Sequence, residues 1–148
     1  MAASACRRPR SVVQSSVLRV IAGGLRVEEM ERVLDALRVV RCGASASEEE
    51  LHALAAQAFA AAGIDAQHEA RLGPRCRIDF LCGNVGVEIK KSRPERGKLI
   101  AQLTRYAGCE QVAALVVVAP RGVNLPKTIG GKPAAMLALE RLWGIWLP

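Results

Sequence analysis

Aromatic residues are nearly missing from this chain: two Trp, one Tyr and two Phe among 148 residues. That scarcity excludes a binder that stacks successive bases on an aromatic platform, and it leaves the core to Ala, Val, Leu and Ile. The five cysteines, Cys6, Cys42, Cys76, Cys82 and Cys109, are odd in number and contain no C-x-x-C pair. Neither a disulfide framework nor a zinc ribbon fits that spacing. Cys76 and Cys82 assemble with His52 and His68 into a zinc set only on paper, and free thiols of a reducing cytoplasm are the simplest reading. No apolar run reaches the roughly 18 residues of a membrane span. The opening stretch, arginines followed by apolar residues, is broken by Gln14, Ser15, Ser16 and Arg19, so it lacks the apolar block of a secretory signal.

What is present is a chain of single-domain length, 51% hydrophobic and 24% charged, which excludes a disordered polar chain. Its net charge of +7 is unevenly placed. Residues 1–74 balance nine Arg against nine acids, whereas residues 75–148 carry twelve Lys or Arg against five Asp or Glu. A one-sided basic surplus suits a polyanionic partner, nucleic acid above all, and a solvated basic surface is the plainer alternative.

Residues 1–24 read as an N-terminal arm with a short strand around Val17–Ile21, and residues 25–148 as one domain. Val27, Met30, Val33 and Leu37 recur at helical spacing and predict a helix ending near Cys42-Gly43. Ser47-Glu48-Glu49-Glu50 matches a capping box that opens a second helix, closed at Gly63. From there the period changes to two. Strands are expected over residues 64–72, 76–82 and 85–91, the last two joined by a tight turn at Gly83-Asn84. Pro94 starts a helix that Gly108 ends, and QVAALVVVA over Gln111–Ala119 reads as a strand buried on both faces. A Gly/Pro/Lys loop spans Pro120–Pro133, and the final segment is open between strand and helix. The order describes an α/β fold with a mixed sheet and at least one crossover helix.

The hairpin carries a geometric expectation. With Gly83-Asn84 as a two-residue loop, Cys82 pairs with Val85, Phe80 with Val87, and Asp79 falls opposite Glu88. Alternation then sends Ile78, Phe80, Val87 and Ile89 into the core and puts Asp79, Glu88 and Lys90 together on the other, polar face. Two opposed carboxylates repel unless a cation lies between them, and Lys90 or Mg²⁺ are the candidates.

Asp79, then eight intervening residues, then Glu88-Ile89-Lys90 resembles the D…(D/E)-x-K signature of the PD-(D/E)XK nuclease superfamily. Gln102-Leu-Thr-Arg-Tyr106 on the following helix is similar to the Q-x-x-x-Y element of its RecB-like and lambda-exonuclease-like branch. Glu50 on the preceding helix and Glu69 on the preceding strand fall where the superfamily often places further acids. The resemblance covers about residues 47–120. The chain departs from the pattern at Arg77-Ile78, where many members carry a proline before the aspartate. No helicase, ATPase or separate DNA-binding element accompanies the motif.

The resemblance implies a restriction-endonuclease-like core in the order α-β-β-β-α-β, and an Mg²⁺-dependent deoxyribonuclease, with Mn²⁺ as the substitute metal. It assigns Asp79, Glu88, the Ile89 carbonyl and Glu69 to the metal, and Lys90 to orienting water or offsetting transition-state charge. Glu50, Gln102 and Tyr106 border the site, the last two contacting phosphate or supporting Lys90. Glu50 has the competing role of capping-box carboxylate, and Glu69 that of a solvated strand glutamate. Lys91, Arg93, Lys98 and Arg105, with Arg96 and Arg121, are candidates for the DNA backbone. Gly130-Gly131-Lys132-Pro133 resembles a phosphate-contacting turn only weakly. The partner is DNA, with RNA an open alternative and no membrane. The chain acts by itself, as a homo-oligomer or within a larger nuclease complex. The competing readings are a non-catalytic DNA-binding or assembly module on the same fold and a basic structural protein.

Overall fold

Local chemistry starts the second helix where the capping box puts it. Ser47 Oγ accepts the Glu50 N–H at 3.1 Å and the Glu50 carboxylate accepts the Ser47 N–H at 3.2 Å, so two otherwise unpaired donors are satisfied reciprocally. The computed structural model describes residues 11–142, with side chains over 23–140. Its elements run α1 (Ser11–Leu37), α2 (Glu48–Ala61), β1 (Ala66–Gly73), β2 (Cys76–Cys82), β3 (Val85–Ile89), α3 (Arg96–Ala107), β4 (Ala114–Ala119), β5 (Thr128–Ile129) and β6 (Lys132–Ala138), closed by a 3₁₀ turn at Leu139–Leu142. The strands form one open six-stranded mixed sheet in the order β1-β2-β3-β4-β6-β5. β3, β4 and β6 are parallel neighbours, and the remaining pairs are antiparallel. The chain is therefore an α/β protein with three helices among the described residues.

Helices cover both faces of the sheet. On one side Leu37 of α1 and Leu51, Ala55 and Phe59 of α2 pack on Phe80, Val87, Ile89, Val116 and Val118. On the other, Leu99, Leu103 and Tyr106 of α3 pack on Ile78, Leu115 and Val117. β4 is buried along all six residues, as its apolar run leads one to expect, although it begins at Ala114 rather than Gln111.

Several expectations are corrected. Val17–Ile21 is helical and not a strand: α1 starts at Ser11 and continues through Gly23 and Gly24, whose cost of about 1 kcal/mol each does not stop a helix of this length. Residues 1–10, with Cys6, lie outside the described residues. The same helix ends at Leu37, ahead of Cys42-Gly43. Glu95, not Pro94, caps α3, its carboxylate accepting the Gly97 and Lys98 N–H groups at 2.7 and 2.9 Å. The Pro120–Pro133 loop contains β5, which turns back into β6 through Gly130 and Gly131, both at positive φ. Cys42, Cys76, Cys82 and Cys109 are free thiols, and burial pushes that of Cys82 up to about 12.

The hairpin register is the expected one, with Cys82 opposite Val85 and Phe80 opposite Val87. The faces are not. Ile78 belongs to the α3-side core while Phe80 and Cys82 belong to the α1/α2 side, so side-chain alternation is broken at Asp79. The cause lies on β1, where Glu69 adopts φ 51° and drops out of the β1–β2 ladder between His68–Phe80 and Ala70–Ile78. A left-handed residue inside a strand re-aims its neighbours, at a cost of about 1–3 kcal/mol. Gly86 leaves the room that Ile78 takes on that face: a Cβ there would stand 2.6 Å from Ile78 Cδ1 and 3.3 Å from Leu115 Cδ2. Gly86→Val should therefore destabilise the protein by about 1–3 kcal/mol through overpacking, read as a lower urea midpoint at unchanged slope.

Candidate active site

β3 is buried along its whole length, and it places one acid inside. Glu88 is the only charged side chain buried among the described residues, at 4% exposure. A buried carboxylate must find donors, and three side chains supply them. Lys90 Nζ lies 2.7 Å from Glu88 Oε1, and Gln102 Nε2 donates to the same oxygen at 2.8 Å. The Tyr106 hydroxyl stands 3.0 Å from Glu88 Oε2 and 2.9 Å from the Arg77 carbonyl, accepting in turn from Gln102 Nε2 at 2.7 Å. Gln102 and Tyr106, one helical turn apart, present one face of α3 to β3. They grip Glu88 rather than Lys90.

Asp79 stands where β2 leaves β3. The ladder ends at Phe80–Val87, and beyond it the Asp79 Oδ2 accepts the Ile89 N–H at 2.7 Å, so a side chain takes a main-chain donor. Asp79 is thus turned toward β3 instead of sharing an open polar face with Glu88, because α3 covers that face. Burial first, and the Asp79 charge second, raise the Glu88 carboxyl above its ordinary 4.5, against the pull of Lys90 and Tyr106. Burial and Glu88 push the Tyr106 phenol well up, which keeps it a donor.

Other expected residues fall elsewhere. Glu50 is held in the capping box and does not reach the cluster. Glu69 sits opposite Asp79 in sequence register but is exposed and pairs with Arg77 at 3.6 Å. Lys91, Arg93 and Lys98 are exposed in the β3–α3 connection and the first turn of α3, and Arg105 is exposed in its last turn. Arg96 donates to the Asn124 carbonyl at 2.8 Å and Arg121 pairs with Glu140 at 3.0 Å. Lys132 of the glycine turn donates to the Cys109 carbonyl at 2.8 Å, so its ammonium is committed within the fold.

Two histidines join the site that sequence spacing did not reveal as part of it. His52 of α2 faces His68 of β1, Nδ1 to Nε2 at 2.9 Å, while its Nε2 is buried, without a hydrogen-bond partner, 3.8 Å from Asp79 Oδ2. Only the packing of α2 on β1 brings them there. Cys76 and Cys82 take no part in any such group: Cys76 lies 3.7 Å from Cys109, and Cys82 is in the α1/α2-side core.

Carboxylate oxygens are the ligands that a hard divalent ion takes. The Asp79 carboxylate lies near enough for its charge to act on Glu88, and an orphaned imidazole nitrogen lies beside Asp79. Among the described residues no three His, Cys, Asp or Glu side chains form a cage of their own. An ion held by Asp79 and Glu88 would therefore need water and phosphate oxygens to complete its coordination, the usual manner of Mg²⁺.

Family models, curated proteins and solved structures all fail to match this chain. Its site is read from its own chemistry. Among the described residues no helix is long and apolar enough to cross a membrane.

A carboxyl whose folded pKa is raised costs stability as pH climbs above its unfolded value of 4.5, since the native state then holds a proton the unfolded chain has lost. In metal-free buffer the stability of Glu88→Gln relative to wild type should therefore grow above pH 4.5, by at most about 1.4 kcal/mol per pH unit. Urea titrations across pH 4–8 (roughly the usual window of maximal stability) check this, and a pH-independent difference would contradict the burial account.

Proposed function

We propose that this chain is a metal-dependent nuclease of the PD-(D/E)XK type that hydrolyses DNA phosphodiester bonds. One observation carries the reading: a carboxylate is buried against an ammonium, an amide and a phenol beside a second carboxylate, at a point where β2 is bent out of regular pairing. A structural ion pair needs no second acid there. The order α2-β1-β2-β3-α3-β4 supports a restriction-endonuclease-like core, to which β6 adds a parallel strand beside β4.

Asp79 and Glu88 would hold Mg²⁺ or Mn²⁺, with the Ile89 carbonyl and the His52 Nε2 as neighbouring donors. When bound, the ion supplies Lewis-acid polarisation of the phosphate and an acidified water. The chain's own residues do the rest. Gln102 and Tyr106 hold the Glu88 carboxylate in one orientation, Tyr106 as a phenol that stays protonated. Lys90, which is partly exposed, presents its ammonium at the mouth of the site, where it orients a water or offsets charge building on phosphorus. Basic side chains at both ends of α3 give sequence-independent hold on the backbone.

A second reading has its own support. The 2.7 Å Lys90–Glu88 contact neutralises Glu88 without a metal, as in a non-catalytic DNA-binding module on this fold. The two separate on supercoiled, linear and single-stranded DNA incubated with Mg²⁺, Mn²⁺ or EDTA. The nuclease reading expects metal-dependent cleavage that Lys90→Ala lowers at least about 100-fold without unfolding the protein. Equal cleavage by the variant, or none by wild type with either metal, overturns it. Glu50→Ala is expected to cost about 1 kcal/mol of stability through its cap and to leave the cleavage rate unchanged.

A further inference from the structure

A cavity of about 550 Å³ opens between the β1–β2 turn and the last turns of α3. Arg71, Arg75, Arg77 and Arg105 line it, and Gln102 and Tyr106 form part of its wall. The arrangement is costly for a free protein. Arg71 and Arg77 are direct partners across the antiparallel ladder, where like charges repel. Arg75, between them in the turn, holds a left-handed φ of 56°, unusual for a side chain of its size. Glu69, on Arg77, is the one acid paired with any of the four among the described residues.

We propose that this cavity is the phosphate-binding subsite for a nucleic-acid strand, next to the cluster of Asp79, Glu88 and Lys90. Guanidinium forks match phosphate oxygens in pairs, and four of them around one opening suit a backbone better than a single small anion. Position names the partner. Gln102 and Tyr106 reach Glu88 at 2.8 and 3.0 Å, so an anion against their outer side is next to the carboxylate cluster. The groove on the α2 side is lined instead by Glu48, Glu49 and Glu69 with His52 and His68, which repels a polyanion and leaves the arginine side as the approach. Among the cavity's lining residues Tyr106 is the sole aromatic, so the subsite holds backbone and does not read bases. Three of these arginines, Arg71, Arg75 and Arg77, were not among the sequence-based candidates. The inference takes from the preceding reading only that the partner is a nucleic acid.

The test is binding of short fluorescein-labelled single-stranded and duplex DNA in EDTA, followed by anisotropy over a range of salt. The variant is Arg71→Gln/Arg75→Gln/Arg105→Gln, all exposed, with circular dichroism and thermal unfolding to show an intact fold. Its affinity should fall at least about tenfold at low salt, and its salt slope should shrink by about 2–3. A charge-matched control on α1, Arg26→Gln/Arg32→Gln/Arg38→Gln, should lose less than about twofold. Unchanged affinity and slope in the cavity variant, an equal loss in the control, or no DNA binding by wild type overturns the proposal. Displacement of the strand by millimolar inorganic phosphate at matched ionic strength assigns the cavity to a small anion and overturns it likewise. Cleavage with Mg²⁺ or Mn²⁺ is read separately. Binding through the arginines without cleavage leaves the subsite standing and removes the nuclease reading, whereas cleavage with unaltered binding by the variant does the reverse.

Discussion

A buried carboxylate can persist only where its partners are assembled around it, and Glu88 imposes that requirement on everything near it. An isolated charge in such a place is costly by several kcal/mol, so Lys90, Gln102 and Tyr106 have to arrive together. Their arrival fixes α3 over β3: Gln102 and Tyr106 are separated by one turn, and both must meet the same carboxylate. Tyr106 extends the lock to β2 through the Arg77 carbonyl. Helix, central strand and neighbouring strand are thereby tied at one point.

The second acid explains the irregular backbone. A regular β2 would carry Ile78 and Phe80 on one face and leave Asp79 in plain register with Glu88. Instead Glu69 takes a left-handed conformation, β2 turns over at Asp79, and Ile78 is packed under α3 against Gly86. Asp79 comes to rest on the Ile89 N–H, close enough to Glu88 to raise its pKa. The protein stores strain, repulsion and an unpartnered His52 nitrogen around one spot. On the proposed reading a divalent cation and a phosphate would relieve the latter two together, and the arginine cavity beyond Tyr106 would extend the same logic to the rest of the strand.

Much of this was legible because it is local. Ser47 and Glu50 lie within one helical turn, Gly83-Asn84 within one hairpin, and Gln102 and Tyr106 on one helix face, so spacing alone places each. Short-range patterns also located β4, whose residues are apolar on both sides. The rest depends on contacts between distant segments. His52 and His68 are sixteen residues apart and meet only when α2 packs on β1. The left-handed turn at Glu69 has no marker in composition, since glutamate there looks like any strand glutamate. β6 is mostly half-buried and shows no alternation, which hid it between strand and helix. The pairing of Arg71 with Arg77 follows from the β1–β2 register and was within reach of the same hairpin reasoning that paired Phe80 with Val87.

The central claim is that Asp79 and Glu88 form one divalent-metal site, and Mn²⁺ binding followed by electron paramagnetic resonance tests it without reference to any substrate. Wild type is expected to bind Mn²⁺ and to surrender it to excess Mg²⁺. Asp79→Asn and Glu88→Gln should each weaken binding by about tenfold or more, on the scale that loss of a metal-site group commonly costs. Binding that is absent in wild type, or equal in wild type and both variants, would contradict the account.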